Sequence, residues 1–289
     1  MKTTFFGHAV LRVDAPSGAS LITDPWFDKN GCFFQSWFQF PENAPFVEAA
    51  FNGVDDILLS HNHADHYDPV TLKRFLAESP TRRLHIAQFG TDWFAKRAKR
   101  FLPGFEDRIV VHEPWERFKI GDDLSAYFVP ERSPGHIDSA IVIESKRQTI
   151  LNLNDARLDS AQLARIRARS KGVNIVALQA SGASEYPLNY LYDSADMKER
   201  CHTKRRLKFE ACTKVLEQIE PHRVLFFAGP PVFLDPSLAE LNKRSDESVF
   251  PDQLDVLNHF QSHNPKLAES CYFALPGEEL DDTVLWSST

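Results

Sequence analysis

The segment Ser60-His61-Asn62-His63-Ala64-Asp65-His66 gathers the side chains of this sequence that are best suited to metal chemistry. It carries three imidazoles and a carboxylate, which is the donor composition of a metal site. Neutral imidazole and carboxylate suit Zn²⁺, Fe²⁺ or Mn²⁺ better than they suit soft metals. The spacing predicts that His61 and His63 can turn toward one ion, while Asp65 and His66 can face a second ion a short distance away.

The elements on either side decide whether these side chains can converge. Residues 56–60 form a short apolar run that is typical of a buried strand. Residues 69–78 follow as a predicted helix, with Asp68 at its N-cap and Pro69 in its first turn. The alternative interpretation is a histidine-rich surface loop. The direct succession of strand, histidine segment and helix favours the metal site.

Further strands and helices are predicted along the chain in two groups. The strand candidates are residues 3–6, 10–13, 20–23, 84–88, 108–111, 124–130, 139–144, 149–154, 173–179 and 224–228, and the other helix candidates are residues 91–101, 160–170 and 194–219. Strands in two groups, with helices between and after them, predict an α/β fold: an αββα sandwich of two packed mixed sheets flanked by helices. No repeat and no Gly/Ser-rich linker divides the chain. We therefore predict one domain over residues 1–289, with a C-terminal extension from about residue 235.

The composition is that of an ordinary globular protein, with 289 residues, 43% of them hydrophobic and 25% charged. A formal net charge of −7 argues against a nucleic-acid partner, which usually requires a basic surface. The N-terminus lacks the apolar run of a signal peptide, and no apolar stretch approaches a membrane span. The four cysteines are scattered, as expected for reduced thiols. We expect a cytoplasmic protein without a membrane partner.

The histidine segment and the motifs that follow it in order resemble the metallo-β-lactamase superfamily. In that family a loop histidine comes next, here in Ser133-Pro134-Gly135-His136, and then a metal-bridging acid, here in Asn152-Leu153-Asn154-Asp155. The resemblance implies the metallo-β-lactamase fold and these ligands: His61, His63 and His136 on the first metal, Asp65 and His66 on the second, and Asp155 between them. From the residues alone, His136 could be an ordinary loop histidine, and Asp155 could be a helix N-cap ahead of Ser160.

The family's pattern usually ends with another histidine on a late strand, which completes the second metal site. The corresponding segment here, Phe226-Phe227-Ala228-Gly229-Pro230-Pro231, contains no histidine, and His222 is expected to be exposed on the wrong side of the strand. The second site is therefore expected to be weak, empty or open to substrate.

Four further segments resemble the catalytic domain of CMP-N-acetylneuraminate hydroxylase and its bacterial relatives. They are Gly7-His8-Ala9, Thr23-Asp24-Pro25-Trp26-Phe27, residues 180–187 and Phe227-Ala228-Gly229. This resemblance implies an iron-dependent hydroxylase that takes electrons from a Rieske domain. The sequence contains no Rieske pair of Cys-x-His motifs, so the electron donor is expected to act in trans. The wider family also includes hydrolases of phosphodiesters and lactones.

Several residues outside the ligand set are candidates for supporting roles. By resemblance, His8 lies near the metal centre, where it is either a proton shuttle or substrate contact or a structural histidine. Asp24 and Trp26 are candidates to orient a ligand or contact the substrate. Gly182 and Ser184 are candidates to approach the substrate in a loop, although Gly182 could belong to an ordinary tight turn. The basic cluster Lys204, Arg205, Arg206 and Lys208 could attract a phosphate or nucleotide, or be a solvated helix face.

Two functions follow from these patterns, and both use Asp65 and His8 as catalytic residues. The favoured hypothesis is an oxygenase that uses one or two iron ions and O₂ on a small polar substrate. The alternative is a zinc- or manganese-dependent hydrolase in which metals lower the pKa of a water, and the resulting hydroxide attacks an ester, lactone or phosphodiester.

Overall fold

The computed structural model describes residues 1–133, 138–182, 186–243 and 248–280, in which the chain forms two β-sheets. The first is a six-stranded sheet whose strands follow one another in chain order. Its strands are β1 (Lys2–Phe5), β2 (Leu11–Asp14), β3 (Ser20–Thr23), β4 (Asp56–Leu59), β5 (Arg83–Ala87) and β6 (Ile109–His112). The pairings β1–β2 and β2–β3 are antiparallel, and those from β3 to β6 are parallel. The sheet is therefore mixed, as predicted.

The second sheet has seven strands, in the reverse of chain order from one edge to the other. They are β7 (Phe118–Ile120), β8 (Leu124–Pro130), β9 (Ser139–Glu144), β10 (Thr149–Asn154), β11 (Ile175–Gln179), β12 (Arg223–Phe227) and β13 (Cys271–Tyr272). The strands from β7 to β10 form an antiparallel meander, and those from β10 to β13 are parallel. The carboxyl ends of β10, β11 and β12 consequently lie along one edge of this sheet.

Helices cover the outer face of each sheet. The α-helices are α1 (Val47–Phe51), α2 (Pro69–Glu78), α3 (Trp93–Phe101), α4 (Ser160–Arg169), α5 (Ser194–Ile219), α6 (Gln253–His263) and α7 (Pro265–Ala268), with short 3₁₀ helices at Ala44–Phe46, Glu106–Arg108 and Pro236–Asn242. Apolar side chains of α1, α2 and α3 pack on the first sheet, and those of α4, α5 and α6 pack on the second. A third apolar cluster fills the space between the sheets. The predicted αββα sandwich is confirmed.

Local signals explain where the helices that border the site begin. Asp68 caps α2 as predicted: its carboxylate accepts the backbone N–H groups of Val70 and Thr71. Helix α4 starts with a capping box in which Asp159 accepts the N–H of Gln162. The alternative interpretation of Asp155 as the N-cap of this helix is therefore wrong, because Asp159 fills that position. Asp155 is instead free to face the site.

The C-terminal part of the described chain is built onto the second sheet. Strand β13 pairs in parallel with β12, and Phe260 of α6 stacks on Phe226 at a ring-centroid distance of 5.4 Å. That the whole chain forms one domain, with an extension from about residue 235, stays a prediction. None of the helices within the described ranges is both long and apolar enough to cross a membrane.

Candidate metal centre

The histidine segment forms the turn between β4 and α2. The N–H of His66 donates to the carbonyl oxygen of His63 at 3.0 Å, and Asp68 follows at once as the N-cap of α2. On the other side, the Ser139 hydroxyl of β9 donates to the carbonyl oxygen of Ser60 at 2.6 Å. The turn is thus held by a strand end, a helix start and the second sheet.

Six acidic and histidine side chains from this turn and from the second sheet, together with His8, converge on one centre. Their donor atoms form three groups, each with all atoms within 4.8 Å: His8, Asp65 and His66; His61, His63 and Asp138; and His61, His66 and Asp155. His66 Nε2 lies 3.6 Å from Asp155 Oδ1 and 3.7 Å from Asp65 Oδ2. Because His61 and His66 each belong to two groups, the groups form one continuous centre.

Two buried atoms of this centre have no hydrogen-bond partner among the described residues. They are Asp65 Oδ1 and His66 Nε2, and both side chains are at most 3% exposed. Burying a polar atom without a partner is costly, so such atoms are rare in folded proteins. A cation would satisfy both atoms at once. The donor set of imidazoles and carboxylates therefore fits a divalent metal of the zinc, iron or manganese type.

Asp24 sets the orientation of two of the candidate ligands. Its fully buried carboxylate accepts the N–H of Ser60 at 2.8 Å and the Ser60 hydroxyl at 2.7 Å, and it lies 3.2 Å from His66 Nδ1. Because the Ser60 hydroxyl donates to Asp24, it accepts from Nδ1 of His61, 2.8 Å away. In their neutral, metal-binding form both imidazoles then carry their proton on Nδ1 and present the lone pair of Nε2 to the centre.

His8 reaches the centre from the turn after β1. Its Nε2 lies 3.0 Å from Asp65 Oδ2, and its ring makes an edge contact with Trp26 at a centroid distance of 5.0 Å. The backbone of His8 has a φ of 45°, directly after Gly7 at 96°, and this left-handed pair turns the imidazole inward. Trp26 is only 2% exposed. The structure therefore places Trp26 behind His8, as a packing surface for its ring.

The buried carboxylates and imidazoles of the centre shift one another's pKa values. Burial alone would lower the pKa of His66, but Asp65, Asp155 and Asp24 raise it to about 10. Burial and the charge of Asp155 raise the pKa of Asp138 to about 6. Burial also disfavours ionisation of Asp65, yet His66 holds the pKa of its carboxyl well below the ordinary range. The protein therefore concentrates negative charge where a cation would bind.

The remaining predicted residues fall into two sets. His136 and Ser184 lie outside the described residues. Gly182, with a φ of 77°, borders a cavity beside Asp155, and a Cβ added there would meet no atom of the described residues within 4 Å apart from its chain neighbours. The structure thus brings Gly182 near the centre without a close approach to any described group.

Sequence reasoning missed two residues that the structure places at the centre. Asp138 Oδ1 lies 3.9 Å from His61 Nε2, and Gln179 donates through Nε2 to Asp155 Oδ1 at 2.9 Å. The position of Asp138, directly before the apolar strand β9, was a usable signal. Gln179 had the same kind of signal, since it ends the apolar strand β11 at the edge where Asp155 lies.

The late strand contributes backbone to this region. The N–H of Ala228, just after β12, donates to the carbonyl oxygen of His8 at 3.0 Å. A Cβ at Gly229 would lie 2.8 Å from the Cβ of Ser181, so a side chain there requires a shift. His222 is exposed, as predicted. The segment that carries a histidine in the family's usual pattern is thus a close backbone contact here.

Comparison with known proteins agrees with this fold. A family model described as "Beta-lactamase superfamily domain" matches residues 20–227. Of the solved structures, the CmlA beta-hydroxylase E377D mutant superposes with a TM-score of 0.61 at 17% sequence identity, covering 96% of this chain and 53% of that one. At 17% identity, this structural similarity supports a shared fold and no more.

Curated relatives match to different extents. A protein named as a Rieske 2Fe-2S iron-sulfur protein from Mycolicibacterium smegmatis is 30% identical over 98% of this chain and 54% of its own length. Cytidine monophosphate-N-acetylneuraminic acid hydroxylase of Macaca mulatta is 20% identical over 89% of this chain and 42% of its own. A UPF0173 metal-dependent hydrolase of Xanthobacter autotrophicus is 41% identical, but over 27% of this chain and 28% of its own. This chain spans about half the length of the first of these relatives.

Proposed function

The chain belongs to the beta-lactamase superfamily, and from that premise we propose that it is an iron-dependent oxygenase. The proposed reaction hydroxylates a small polar substrate with O₂ and two electrons: R–H + O₂ + 2 e⁻ + 2 H⁺ gives R–OH + H₂O. The electrons come from a donor outside these 289 residues. The proposed place of the reaction is the cytoplasm.

The choice between the two reactions is based on how much of this chain each curated relative matches. The relatives that match 98% and 89% of the chain bear Rieske iron-sulfur and hydroxylase names, respectively. The relative named as a hydrolase matches 27%. A match along the whole chain includes the late strand, where this sequence has Phe227-Ala228-Gly229, whereas a short match involves fewer of the elements that shape a site.

The proposed metal ligands are the imidazoles and carboxylates that converge on the centre. His61 and His63 would hold one ion with His136, and His66, Asp65 and Asp155 would hold a second. Bound iron would supply the redox chemistry that activates O₂, a reaction typical of open imidazole–carboxylate sites. Asp24 keeps His61 and His66 aimed inward through the hydrogen bonds described above.

His8 is the proposed proton carrier. Its ring, with only 7% of the side chain exposed, borders a cavity of about 250 Å³ lined by Phe40 and Phe227, while its Nε2 contacts Asp65 Oδ2. An imidazole in this position can take a proton from the cavity and hold it at Nε2 against the Asp65 carboxylate. Asp65 thereby has two proposed roles, as a metal ligand through one oxygen and as the proton partner of His8 through the other.

A hydrolase is the second candidate, favoured by the local match to the metal-dependent hydrolase. In that case the same residues would hold zinc or manganese, whose chemistry is to acidify a water. His8 would then donate its proton to the leaving group. The two candidates differ in their need for O₂ and electrons, and this difference decides between them.

The test begins with protein purified without oxygen and analysed for metal content. Iron-loaded protein is then supplied with a reductant and a panel of amino-sugar nucleotides and small amides in an oxygen electrode. We expect substrate-dependent O₂ uptake, with one atom of labelled O₂ found in the product by mass spectrometry. His63→Gln and the exposed His222→Gln form a matched pair: the first should abolish the uptake and the second should leave it unchanged.

Full turnover of a hydrolysable substrate by the zinc form under strict anaerobiosis would overturn the oxygenase proposal and favour the hydrolase. So would label that enters the product from water while none enters from O₂.

A further inference from the structure

A cavity of about 1100 Å³ lies next to the metal centre, on the helix-covered side of the second sheet. Its walls come from α4, from α5 and from the carboxyl ends of β10 and β11. Asp155 is part of its wall and also faces His66 at 3.6 Å. In sheets with parallel strands, ligands bind preferentially beyond the carboxyl ends of the strands. The cavity is therefore placed to present a bound molecule to the centre.

The charges that face the interior of this cavity are mainly positive. Lys204 and Lys208 of α5 are half-buried in its wall, and burial, with a smaller contribution from the charge of the exposed Arg157, lowers the pKa of each lysine. Lys204 Nζ donates to the carbonyl oxygen of Tyr186 at 2.6 Å, and Lys208 Nζ to Gln179 Oε1 at 2.8 Å. These two contacts, among the described residues, hold the lysine amines at the cavity wall.

The acidic residues of the lining are placed differently. Asp159, Asp196 and Glu199 are exposed at the rim, and Asp159 is already occupied as the N-cap of α4. Asp155 is the half-buried exception, and its carboxylate contacts His66 and Gln179. An arrangement with cations inside and acids at the rim concentrates a positive field within the cavity, which attracts anions.

The basic cluster of the sequence divides accordingly. Arg206 pairs with Glu210 at 2.7 Å on the solvent side, and Arg205 pairs with Asp255 of α6 at 3.3 Å. Lys204 and Lys208, one helical turn apart, face the cavity together. The solvated-face interpretation therefore holds for Arg206, while the two lysines are turned toward a potential ligand.

Two buried polar side chains at the cavity wall have no hydrogen-bond partner among the described residues. They are the amide of Asn154, at the end of β10, and the hydroxyl of Ser181, just after β11. Both residues are at most 5% exposed. Buried amides and hydroxyls without a partner destabilise a fold, and they commonly mark a site that a ligand or water completes. They add neutral donors beside the lysines.

We propose that this cavity binds the anionic group of the substrate, a phosphate or carboxylate carried on an apolar body. The lysines receive the anion, the donors of Asn154 and Ser181 complete its hydrogen bonds, and the leucine side chains of the lining cover the apolar part. Burial disfavours the charged form of Lys204 and lowers its pKa to about 8, and a bound anion would raise that pKa again. The identification of the bound molecule as the substrate rests on the proposed function, and the cavity adds the chemical class of that substrate.

Isothermal titration of the purified protein with phenyl phosphate, benzoate and uncharged benzyl alcohol tests the site without turnover. We expect one or both anions to bind, and whichever binds more tightly identifies the source of the anionic group. Lys204→Met should weaken that binding about tenfold or more, as expected for the loss of a charge-assisted hydrogen bond. Arg206→Met removes the same charge from the same helix and should change it less than about twofold.

Two further variants keep the proposal open to refutation. Lys208→Met should weaken binding to a similar extent, and Lys204→Met remains informative if Lys208→Met fails to fold. Asp65→Ala, which alters the metal centre, should still bind phenyl phosphate. Anion binding that is lost in Asp65→Ala but unaffected in both lysine variants would assign it to the metal centre and overturn the proposal, as would equal affinity for benzyl alcohol. Because binding is measured without O₂ or turnover, these outcomes still test the anion site if the oxygenase proposal fails.

Discussion

Strand β4 has a cluster of histidine and aspartate side chains at each end, and the two clusters differ in how their hydrogen bonds are satisfied. After its last residue comes the metal centre, where Asp65 Oδ1 and His66 Nε2 are buried without partners among the described residues. Its first residue, Asp56, belongs to a second cluster with His85 and His112. There His85 Nε2 lies 2.8 Å from Asp56 Oδ1, and His85 Nδ1 lies 2.8 Å from His112 Nε2.

The second cluster is complete without a ligand. No buried side-chain nitrogen or oxygen of Asp56, His85 or His112 lacks a partner within the described ranges. The His112 ring also stacks on Phe118 of the second sheet at a centroid distance of 3.6 Å. Residue type alone therefore does not identify a functional histidine. A closed chain of hydrogen bonds stabilises the fold, whereas unsatisfied atoms pointing at one another leave room for a cation.

The largest expected difference between the clusters comes from removing one aspartate from each. Asp65→Ala should lower turnover by at least about 100-fold, because changes to groups that merely orient metal ligands already cost 10–100-fold in activity or metal affinity. Asp56→Ala removes the same carboxyl from the other cluster and should retain metal and activity per folded molecule. Metal analysis, rates and urea unfolding of both variants check this.

The stability readout should show the reverse order. Each variant leaves a histidine Nε2 without its carboxylate partner, that of His85 or that of His8. Asp65→Ala also removes Oδ1, which is buried without a partner among the described residues, so Asp56→Ala should unfold at the lower urea concentration. If Asp65→Ala were the less stable of the two and kept full activity per folded molecule, Asp65 would be structural and the distinction between the clusters would fail.

This difference also explains what the sequence could reveal of the site. The turn between β4 and α2 was predictable as a candidate metal site because His61, His63, Asp65 and His66 are neighbours in one short segment. Asp138 and Gln179 join them only through the arrangement of the second sheet. The contact between His85 and His112 depends on the pairing of β5 with β6, and the spacing of the two residues in the sequence does not predict it.

The fold was largely predictable for a similar reason. Apolar runs of four to seven residues and cap residues such as Asp68 are local signals, and strands β8, β9 and β10 lie within the predicted bounds. Strands β7 and β13, with three and two residues, are too short to carry a pattern. These two strands form because neighbouring strands of the sheet provide their hydrogen-bond partners, and such long-range pairing cannot be predicted from a local sequence pattern.

A second prediction concerns the middle of the closed chain. His85→Leu should lower the free energy of unfolding by about 3 kcal/mol, because the buried atoms Asp56 Oδ1 and His112 Nε2 each lose a hydrogen bond. Arg83, 3.2 Å from Asp56 Oδ1, limits the loss on that side. Urea unfolding gives the value, and metal content should be unchanged. A variant that lost its metal while keeping its stability would place His85 in the function of the other centre.

The smallest expected effect is a pH dependence of stability that belongs to His112. Burial, and then the neighbouring His85, lower the pKa of His112 from 6.5 to about 4. Between these values the unfolded chain binds a proton that the folded protein does not, so stability falls as the pH decreases through this window. From pH 7 to pH 5.5 this group should remove about 1 kcal/mol of the free energy of unfolding.

His112→Gln keeps a side-chain N–H donor but cannot titrate, so that part of the loss between pH 7 and pH 5.5 should vanish. Its overall stability should also fall, because the stacking on Phe118 is lost, and for this reason the difference between the two pH values is the quantity to compare. His222→Gln removes an exposed imidazole and should retain the parent's pH dependence. Urea unfolding of the three proteins at both pH values measures it. If His112→Gln lost as much stability on acidification as the parent, the titrating group would lie elsewhere, and the metal centre, with its many imidazoles, would be the first place to look.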